Sequence, residues 1–420
     1  MIASARSAGP DPASGNPCRI IYLSQLFDPE PTFKGLGFIK ALRDRGIEAE
    51  VVTGFPNYPG GKVYPGHRIR PLLRQRMDGV EVTRLAMYPS HDQSAVRRIL
   101  CYLSFFFTSL AYLLFRARRA DLIYVYYPSL TAGLAAVAAK LFRRTPIVLD
   151  IQDMWPDSLG ASGMMKNPAL LAVVNFFCGV LYRGCDHIIV LSPGFRSLLI
   201  QRGVPAEKVS VIYNWAEETA LPTTAALPAG YHADDGLRLL FAGNMGAAQG
   251  LEAVLQAAAL VQKSRSDVTF LFMGGGTERP VLEDLAGRLG LTNTRFLPRV
   301  PLAEVQAFLA AADCLLVHLK DEPLFRITIP SKTQAYLYAG RPILMAVRGD
   351  AADLVLRAAA GLTATPEDPA DLAAKVLELA AMNADERAAM GARGRSFYHD
   401  QLSARIGIDA IAAMIRRFRR

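Results

Sequence analysis

The chain has 420 residues, a formal net charge of +9 and a hydrophobic content of 51%. Since single cores rarely grow past ~100–200 residues, this length predicts two domains. Residues 1–215 hold 25 Lys and Arg against 15 Asp and Glu, which leaves 22 against 23 of the totals of 47 and 38 for the rest. The basic excess therefore lies in the N-terminal half and favours an anionic surface or acceptor there. Zinc-finger spacing and aromatic-basic repeats are absent, so nucleic acid is not an expected partner.

Cysteine usage and the N-terminal composition bear on the compartment. Five cysteines, an odd number, are scattered mostly among apolar neighbours, which favours reduced core thiols in the cytosol over a disulfide framework and disfavours a structural metal. Residues 1–17 are rich in Ala, Ser, Gly and Pro without a hydrophobic run. They are expected to form a disordered extension and not a secretory signal. The cysteines are Cys18, Cys101, Cys178, Cys185 and Cys314.

Strand and helix patterns alternate from Cys18 onward, which predicts a parallel sheet built from βαβ units. The expected strands of this first unit cover residues 19–26, 49–54, 80–85, 122–126, 147–151, 187–191 and 209–213. The expected helices cover residues 32–45, 130–142, 170–182 and 195–202.

Two turns of this unit follow strands at the edge where parallel sheets bind ligands. The first, residues 28–37, holds Gly35 and Gly37, a weak signal by itself. The second, residues 150–157, carries three aspartates, a glutamine and a tryptophan. Charged side chains there are hard to explain by packing, so a site is one interpretation and a capping turn is the other.

A nearly wholly apolar run extends from Ile99 to Phe115 and has arginines on both sides. At ~1.5 Å per residue it is about 26 Å long, slightly short of a ~30 Å hydrocarbon core. A spanning helix would also divide one sheet between the two sides of a bilayer, so a transmembrane segment is rejected. Two interpretations stay open: a buried core helix, or a monotopic helix whose arginines meet anionic lipid. The flanking residues are Arg97, Arg98, Arg116, Arg118 and Arg119.

Residues 215–236 lose periodicity and read as an interdomain linker. A second α/β unit follows, and its first strand, 237–242, leads into the small-residue turn 243–250. Such a turn lets backbone N–H groups approach phosphate, although a plain β–α turn is the alternative. The other expected strands cover 268–273, 294–297, 314–318 and 343–347, and the expected helices cover 302–312, 351–360, 369–382 and a basic C-terminal helix at 398–420.

The stretch 325–344 combines apolar residues with a proline, a hydroxyl and a cation. It predicts a helix that begins near Ser331, ends at Gly340 and is followed by a strand after Pro342. Because a helix N-terminus favours anions, Pro330 and Lys332 at its start suggest a polyphosphate site. The alternative is an ordinary capped helix with a solvated Lys332.

Two α/β units joined near residue 225 resemble a GT-B glycosyltransferase. Over Cys18 to Phe397 the chain is similar to the retaining GT4 family, through the motifs DPEP, FPNYPGGKVY, QDMWPDS, NW, FAGNMGAAQGLE, FLPRV and IPSKTQAYLYAGRPIL. These motifs look like the bacterial branch that builds O-antigens, capsules and other surface polysaccharides, some members using acetylated amino-sugar donors.

The resemblance implies two Rossmann-like domains, 18–214 for the acceptor and 237–397 for a nucleotide-diphosphate sugar held without metal. Retaining enzymes of this fold are thought to react on one face of the sugar, so stabilising the departing diphosphate is the main electrostatic task. Lys332 would supply part of that charge. The other donor-binding residues implied are Gly35, Gly37, Gly243, Asn244, Gly246, Gln249, Gly275, Arg299, Val300, Arg326, Pro330, Ser331 and Gln334.

The sequence departs from the family in three places. The paired glutamates are replaced by Ile327 and Ala335, the usual lysine of the glycine turn is Gln249, and the usual histidine has no counterpart. Tyr126 lies nearest to that histidine position. The catalytic residues expected are therefore Lys332 and, as general base or acceptor-orienting group, Asp153.

The resemblance further implies a UDP-linked N-acetylated amino sugar as donor, a polyprenyl-diphosphate-linked glycan as acceptor, and a location on the cytoplasmic face of the bacterial inner membrane. The basic N-terminal half and the run from Ile99 to Phe115 suit that surface. Two alternatives remain: a degenerate nucleotide-sugar-binding scaffold, suggested by the missing glutamates, and a sugar-nucleotide 2-epimerase, disfavoured because the six histidines are dispersed.

Overall fold

The structure, a computed structural model, describes residues 17–90, 94–127, 129–161, 165, 167–218 and 236–419. Most of the expected disordered extension and residues 219–235 of the expected linker lie outside the described residues. The described chain forms two separate sheets with helices on both faces, so the expected pair of doubly wound α/β units is confirmed.

The first sheet has eight strands in the order β3-β4-β2-β1-β5-β6-β7-β8, and all pair in parallel except β3. Both faces are covered by helices, which explains why most of these strands are apolar throughout. The strands are β1 Cys18–Leu23, β2 Ile47–Thr53, β3 Leu72–Met77, β4 Val80–Leu85, β5 Leu122–Tyr127, β6 Ile147–Ile151, β7 His187–Val190 and β8 Val209–Val211.

The helices of this unit are α1 Leu36–Arg43, α2 Ala95–Phe115, α3 Leu130–Arg143, α4 Asp157–Ala161, α5 Pro168–Gly184 and α6 Pro193–Gln201. The first helix begins later than the predicted residue 32. The Asp28 carboxylate accepts a hydrogen bond from the Leu36 N–H at 2.7 Å, which fixes the helix start there. Strand β1 also ends earlier than predicted, at Leu23.

The apolar helix α2 divides its residues between core and surface. Cys101, Phe105, Tyr112 and Leu113 share one face and are buried in the core of the first sheet. By length and composition α2 is the one helix among the described residues that could cross a membrane, yet only 28% of its apolar window is buried. The core interpretation therefore holds for one face alone, and membrane contact by the other face stays a prediction.

The second sheet has six parallel strands in the order β11-β10-β9-β12-β13-β14, the dinucleotide-fold order, which reverses between β9 and β12. Its strands are β9 Leu237–Ala242, β10 Val268–Met273, β11 Thr294–Leu297, β12 Cys314–His318, β13 Ile343–Ala346 and β14 Gly361–Thr363. Its helices are α7 Leu251–Ser264, α8 Arg279–Arg288, α9 Leu302–Ala311, α10 Pro323–Arg326, α11 Ser331–Ala339, α12 Asp350–Arg357 and α13 Pro369–Ala381.

The C-terminal segment corrects the predicted single helix at 398–420. Residues up to 401 belong to α14 (Ala384–Gln401), and a new helix, α15 (Ala404–Arg416), starts after Ser403. Helix α15 returns to the first domain, where it packs beside α1, and Ile408, Ile411 and Ile415 belong to the same core cluster as the residues of β1. The apolar face of α15, and not its basic end, therefore determines its place. 

Candidate active site

Helix α11 begins at the carboxyl edge of the second sheet with Ser331, preceded by Pro330, and ends at Gly340 in the left-handed conformation. This confirms the predicted helix. Lys332 is half-buried as a residue, but its Nζ atom is closed off from solvent and has no hydrogen-bond partner within the described part of the chain. The ammonium lies 3.8 Å from the centroid of the Phe241 ring, a cation–π contact. Burial lowers the pKa of Lys332 to about 7.

The turn after β9 lies directly against this lysine. A methyl group built on Gly243 would stand 3.2 Å from Lys332 Nζ, and Gly243 has a φ of +144°. The Tyr336 hydroxyl of α11 accepts a hydrogen bond from the Ala242 N–H at 2.9 Å. Helix α11 and the end of β9 are therefore held together, which brings a cation, a helix N-terminus and a glycine backbone to one place.

The turn after β10 closes this cluster from the other side. The Met245 N–H donates to the Gly275 carbonyl at 2.7 Å, and Gly274 is so close that a methyl group on it would lie 2.0 Å from the Gly243 carbonyl oxygen. Gly275 itself faces open space. The half-buried backbone of Gly275 thus has open space beside it, whereas Gly274 is buried and closely packed.

Two predicted donor-binding side chains serve the local structure. Gln249 Oε1 accepts a hydrogen bond from the Gly246 N–H at 2.9 Å and closes the 243–250 turn. Gln334 is buried, and its amide nitrogen is placed to donate to the carbonyls of Pro330 and Ser331 at 3.0 and 3.1 Å. Both glutamines hold the glycine turn and the helix start in shape.

The remaining predicted residues of the second domain follow strands β9 and β11 or belong to α10, before α11. Arg299 is exposed after β11, and Val300 packs against the core. Arg326, half-exposed, donates to Asp321 at 2.8 Å, and that aspartate also pairs with Arg348 at 3.2 Å. The Asn244 amide nitrogen lies beside Gly246, where an added methyl group would stand 2.8 Å from it.

Asp153 follows β6 at the carboxyl edge of the first sheet. Its side chain reaches solvent, and the surrounding protein atoms reduce its hydration, which raises its pKa. Burial at the end of β5 raises the pKa of Tyr126, and the negative charges of Asp150 and, to a smaller extent, Asp153 raise it further. Asp153 is therefore an accessible carboxylate beside a buried phenol, an arrangement suited to a proton-accepting role.

The two glycines of the first turn differ in their surroundings. A methyl group on Gly35 would lie 2.2 Å from Asp28 Oδ2, so this position needs glycine for the aspartate that caps α1. Gly37 is exposed with no atom within 4 Å of a built methyl group. The N-terminus of α1 already holds a carboxylate, which uses part of its capacity for anions.

A fully buried ion pair lies next to the Asp153 loop and was not predicted from the sequence. Lys34 Nζ lies 2.5 Å from Asp150 Oδ2, and both side chains are fully buried. Gln152 donates to the other Asp150 oxygen at 2.7 Å, and Asn214 donates to Gln152 at 2.8 Å. This chain of contacts joins the first turn, the Asp153 loop and the start of the linker. In the sequence the two partners are a lysine directly before Gly35 and an aspartate near the end of an apolar strand, and neither marks the other as its partner.

The two domains meet beside this region. Ser192 Oγ donates to the Ile327 carbonyl at 2.5 Å, and the Gly194 N–H donates to Asp350 Oδ2 at 2.7 Å. A cavity of about 620 Å³ between the domains is lined in part by Asp157 and Glu322. Ile327 stands four residues before the α11 start, so the domain contact adjoins the lysine cluster.

Within the described residues, no group of three or more His, Cys, Asp or Glu side chains is placed to hold a metal ion. The arrangement can neutralise a polyphosphate with one desolvated ammonium, helix N–H groups and glycine backbone. It can also offer a carboxylate from the facing domain to a second substrate.

Comparison with known proteins agrees with this architecture. Residues 36–215 match the family described as "Glycosyl transferase 4-like domain", and residues 236–382 match the family described as "Glycosyl transferases group 1". WcaI of Escherichia coli, named for glycosyl transfer in colanic acid biosynthesis, is 29% identical over 77% of this chain and 81% of its own. WbjE of Pseudomonas aeruginosa, named as a glycosyltransferase, is 27% identical over 72% of this chain and 76% of its own.

Solved structures share the fold at lower identity. Sucrose-phosphate synthase of Thermosynechococcus elongatus has a TM-score of 0.73 at 16% identity and covers 95% of this chain and 98% of its own. WaaG, described as a glycosyltransferase of lipopolysaccharide biosynthesis, has a TM-score of 0.65 at 15% identity with 94% and 99% covered. HepE of Anabaena, solved in complex with UDP-glucose, has a TM-score of 0.66 at 17% identity with 95% and 99% covered.

Two doubly wound α/β domains and the two matching family descriptions define an enzyme of the GT-B glycosyltransferase class. Within that class the chain belongs to the GT4-type glycosyltransferases, as the sequence motifs predicted. A glycosyl transferase 4-like domain is followed by a domain of the glycosyl transferases group 1 family. The two relatives described above are bacterial proteins named as glycosyltransferases, one of them for colanic acid biosynthesis.

Proposed function

We propose that the enzyme is a retaining glycosyltransferase that moves a sugar, of the N-acetylated amino-sugar class, from a UDP-linked donor to a polyprenyl-diphosphate-linked glycan. The donor part of this proposal rests on Lys332. Its desolvated ammonium has no hydrogen-bond partner among the described residues and lies beside Gly243. A buried cation without a partner is unfavourable, and the diphosphate of a nucleotide sugar would supply the missing anion. HepE, of the same fold, was solved with UDP-glucose, which supports uridine as the base.

In this proposal the second domain binds the donor without metal, and the first domain binds the acceptor. Lys332 and the N-terminus of α11 stabilise the negative charge that develops on the leaving diphosphate. The departing diphosphate takes up the acceptor proton while Asp153 orients the acceptor hydroxyl, or Asp153 itself receives the proton instead of the diphosphate. Gly275, Arg299 and Val300 line the base and ribose, and Arg326 contacts the sugar.

The acceptor half is supported by the surface of the first domain. Helix α2 exposes Ile99, Leu103 and Phe107, and it lies in the half of the chain that carries the basic excess. An apolar helix with arginines at both ends suits the interface of an anionic membrane. The enzyme would then act at the cytoplasmic face of the inner membrane, where lipid-linked glycans are assembled.

A thermal-shift panel of UDP-, GDP-, dTDP- and ADP-sugars, first without metal and then with Mg²⁺, tests the donor half. A ligand at ~100 times its dissociation constant stabilises the protein by ~2.7 kcal/mol, so binding is readily seen. We expect a metal-independent shift with UDP-sugars alone. A shift that requires Mg²⁺ or another base would contradict the proposed donor. Turnover of the bound donor with a lipid-linked acceptor separates a transferase from a protein that only binds the nucleotide sugar.

A further inference from the structure

Helix α5 is exposed along its first half to a degree unusual for an apolar helix. Of residues 168–177, eight are exposed and the other two are half-buried, and burial begins only at Cys178. The segment reads PALLAVVNFF, so Asn175 is its one polar side chain. Residues spaced by three and four along it are large and apolar: Leu170, Val173, Phe176 and Phe177 are 52%, 52%, 62% and 42% exposed.

We propose that residues 168–177 of α5 insert into the lipid bilayer as a second membrane contact beside α2. One side of this segment rests on the fold, where Leu171 and Val174 are half-buried and Val174 packs against the core. The other sides carry apolar side chains, which are stable only where apolar material surrounds them. A second protein surface would cover one of these sides, whereas hydrocarbon can cover all of them. At ~1.5 Å per residue the segment is about 15 Å long, which suits shallow insertion and is far too short to span.

The position of α5 in the fold agrees with one common membrane-facing surface. Helix α3 packs between α2 and α5, so the exposed faces of α2 and α5 belong to the same helical layer. Cationic side chains border this layer at Arg98, near the start of α2, and at Arg183, near the end of α5. Apolar side chains bordered by arginines are complementary to acyl chains bordered by anionic headgroups.

The base of α5 touches the loop that carries Asp153. The Tyr182 hydroxyl donates to the Trp155 carbonyl at 3.4 Å, two residues beyond Asp153. Insertion of α5 would therefore hold this loop close to the membrane surface. This consequence rests on the proposed function, in which the acceptor is a membrane lipid, whereas insertion itself can be tested without any sugar substrate.

Flotation with vesicles of phosphatidylcholine, with and without phosphatidylglycerol, tests the inference. Phe176→Ser/Phe177→Ser should weaken binding to both vesicle types by about tenfold or more, because the apolar area removed no longer enters hydrocarbon. Val281→Ser/Leu356→Ser is the matched control, since both residues are exposed apolar side chains of the second domain, at 49% and 55%, and should bind as the wild type does. Wild-type binding by the α5 variant would overturn the inference.

A direct measure of insertion uses a Val173→Cys variant labelled with a polarity-sensitive fluorophore, because the five native cysteines are buried. Addition of vesicles should shift its emission to the blue, and the same label at Val281→Cys should not respond. A blue shift that depends on protein concentration without lipid would assign the face to a second copy of the chain and overturn the inference. If the wild type bound no vesicles, the membrane orientation in the proposed function would also fail, although donor binding would stand.

Discussion

Lys34 and Asp150 form an ion pair of 2.5 Å with no solvent exposure on either side chain. Three aromatic rings surround the ammonium, with centroids 6.0 Å away for Phe38 and Tyr126 and 5.6 Å away for Trp215. Removing one partner of such a pair leaves the other charge buried and uncompensated. The pair therefore fixes the positions of the two loops that it joins at the carboxyl edge of the first sheet.

Lys34→Met should lower the free energy of unfolding by ~3–5 kcal/mol, because Asp150 would lose its counterion in the core. Lys40→Met is the control: Lys40 pairs with Asp78 at 2.9 Å on the surface, with side-chain exposures of 41% and 62%, and such pairs contribute ~0–1 kcal/mol. Denaturant unfolding followed by circular dichroism measures both. Equal losses in the two variants would show that the buried pair has no special role.

Lys332→Ala should weaken binding of the nucleotide-sugar donor by about 1–3 kcal/mol, the scale of a lost charge-assisted hydrogen bond. Titration calorimetry with a UDP-sugar measures the change directly. Lys375→Ala, which removes a surface lysine paired with Glu378 at 2.8 Å, should leave the affinity as it was. Unchanged donor affinity in the Lys332 variant would remove this lysine from the donor site.

The same lysine should make the stability of the ligand-free enzyme depend on pH. Its pKa is about 7 in the folded chain against an ordinary 10.5, so between these values the unfolded chain holds the extra proton. The contribution of Lys332 to stability therefore rises as pH increases through this window and is least favourable below pH ~7. Lys332→Met should raise the melting temperature at pH ~6 and lose that advantage near pH ~10. A melting temperature below that of the wild type at pH ~6 would contradict this sign.

Donor binding should reverse that effect. A diphosphate beside the Lys332 ammonium favours the charged form and raises its pKa, so binding at pH ~8 takes up a proton. Calorimetry in buffers of different ionisation enthalpy measures this uptake, and Lys332→Met should abolish it. Proton uptake that persists in the variant would assign it to another group.

Asp153→Asn should lower kcat by ~10²–10⁴-fold with little change in donor affinity, because the amide keeps the shape of the side chain and cannot accept a proton. Asp157→Asn is the control in the same loop. Asp157 pairs with Arg202 at 2.5 Å, so its loss should reduce stability more than kcat. A normal kcat for the Asp153 variant would leave proton transfer to the departing diphosphate alone.

The parts of the fold and of the candidate site that depend on local sequence pattern could be predicted from the sequence. The α11 helix, with its proline start and Gly340 end, was readable because capping acts within a few residues. Strand β3 was missed although the Asp78-Gly79 pair, with φ values of 47° and 83°, is a strong hairpin signal. The Lys34–Asp150 pair could not be predicted, because its partners are 116 residues apart and only the sheet order brings them together.

Substitutions at two adjacent glycines, Gly274 and Gly275, distinguish the effect of backbone packing on donor binding from the effect of direct contact with the ligand. Gly274 has a φ of +137° and a methyl group on it would lie 2.0 Å from the Gly243 carbonyl oxygen, so Gly274→Ala should lower the melting temperature and weaken donor binding together. Gly275 has open space where a methyl group would stand, so Gly275→Ala should melt normally.

In the proposed donor complex that space belongs to the nucleotide, and Gly275→Ala should therefore weaken UDP-sugar binding without a loss of stability. Thermal unfolding and calorimetry on the two variants measure both effects side by side. Normal donor affinity for Gly275→Ala would place the nucleotide away from the β10 turn. A stable Gly274→Ala variant would show that the turn can shift to accept a side chain, and the close contact of the two glycine turns would then not be required for the site.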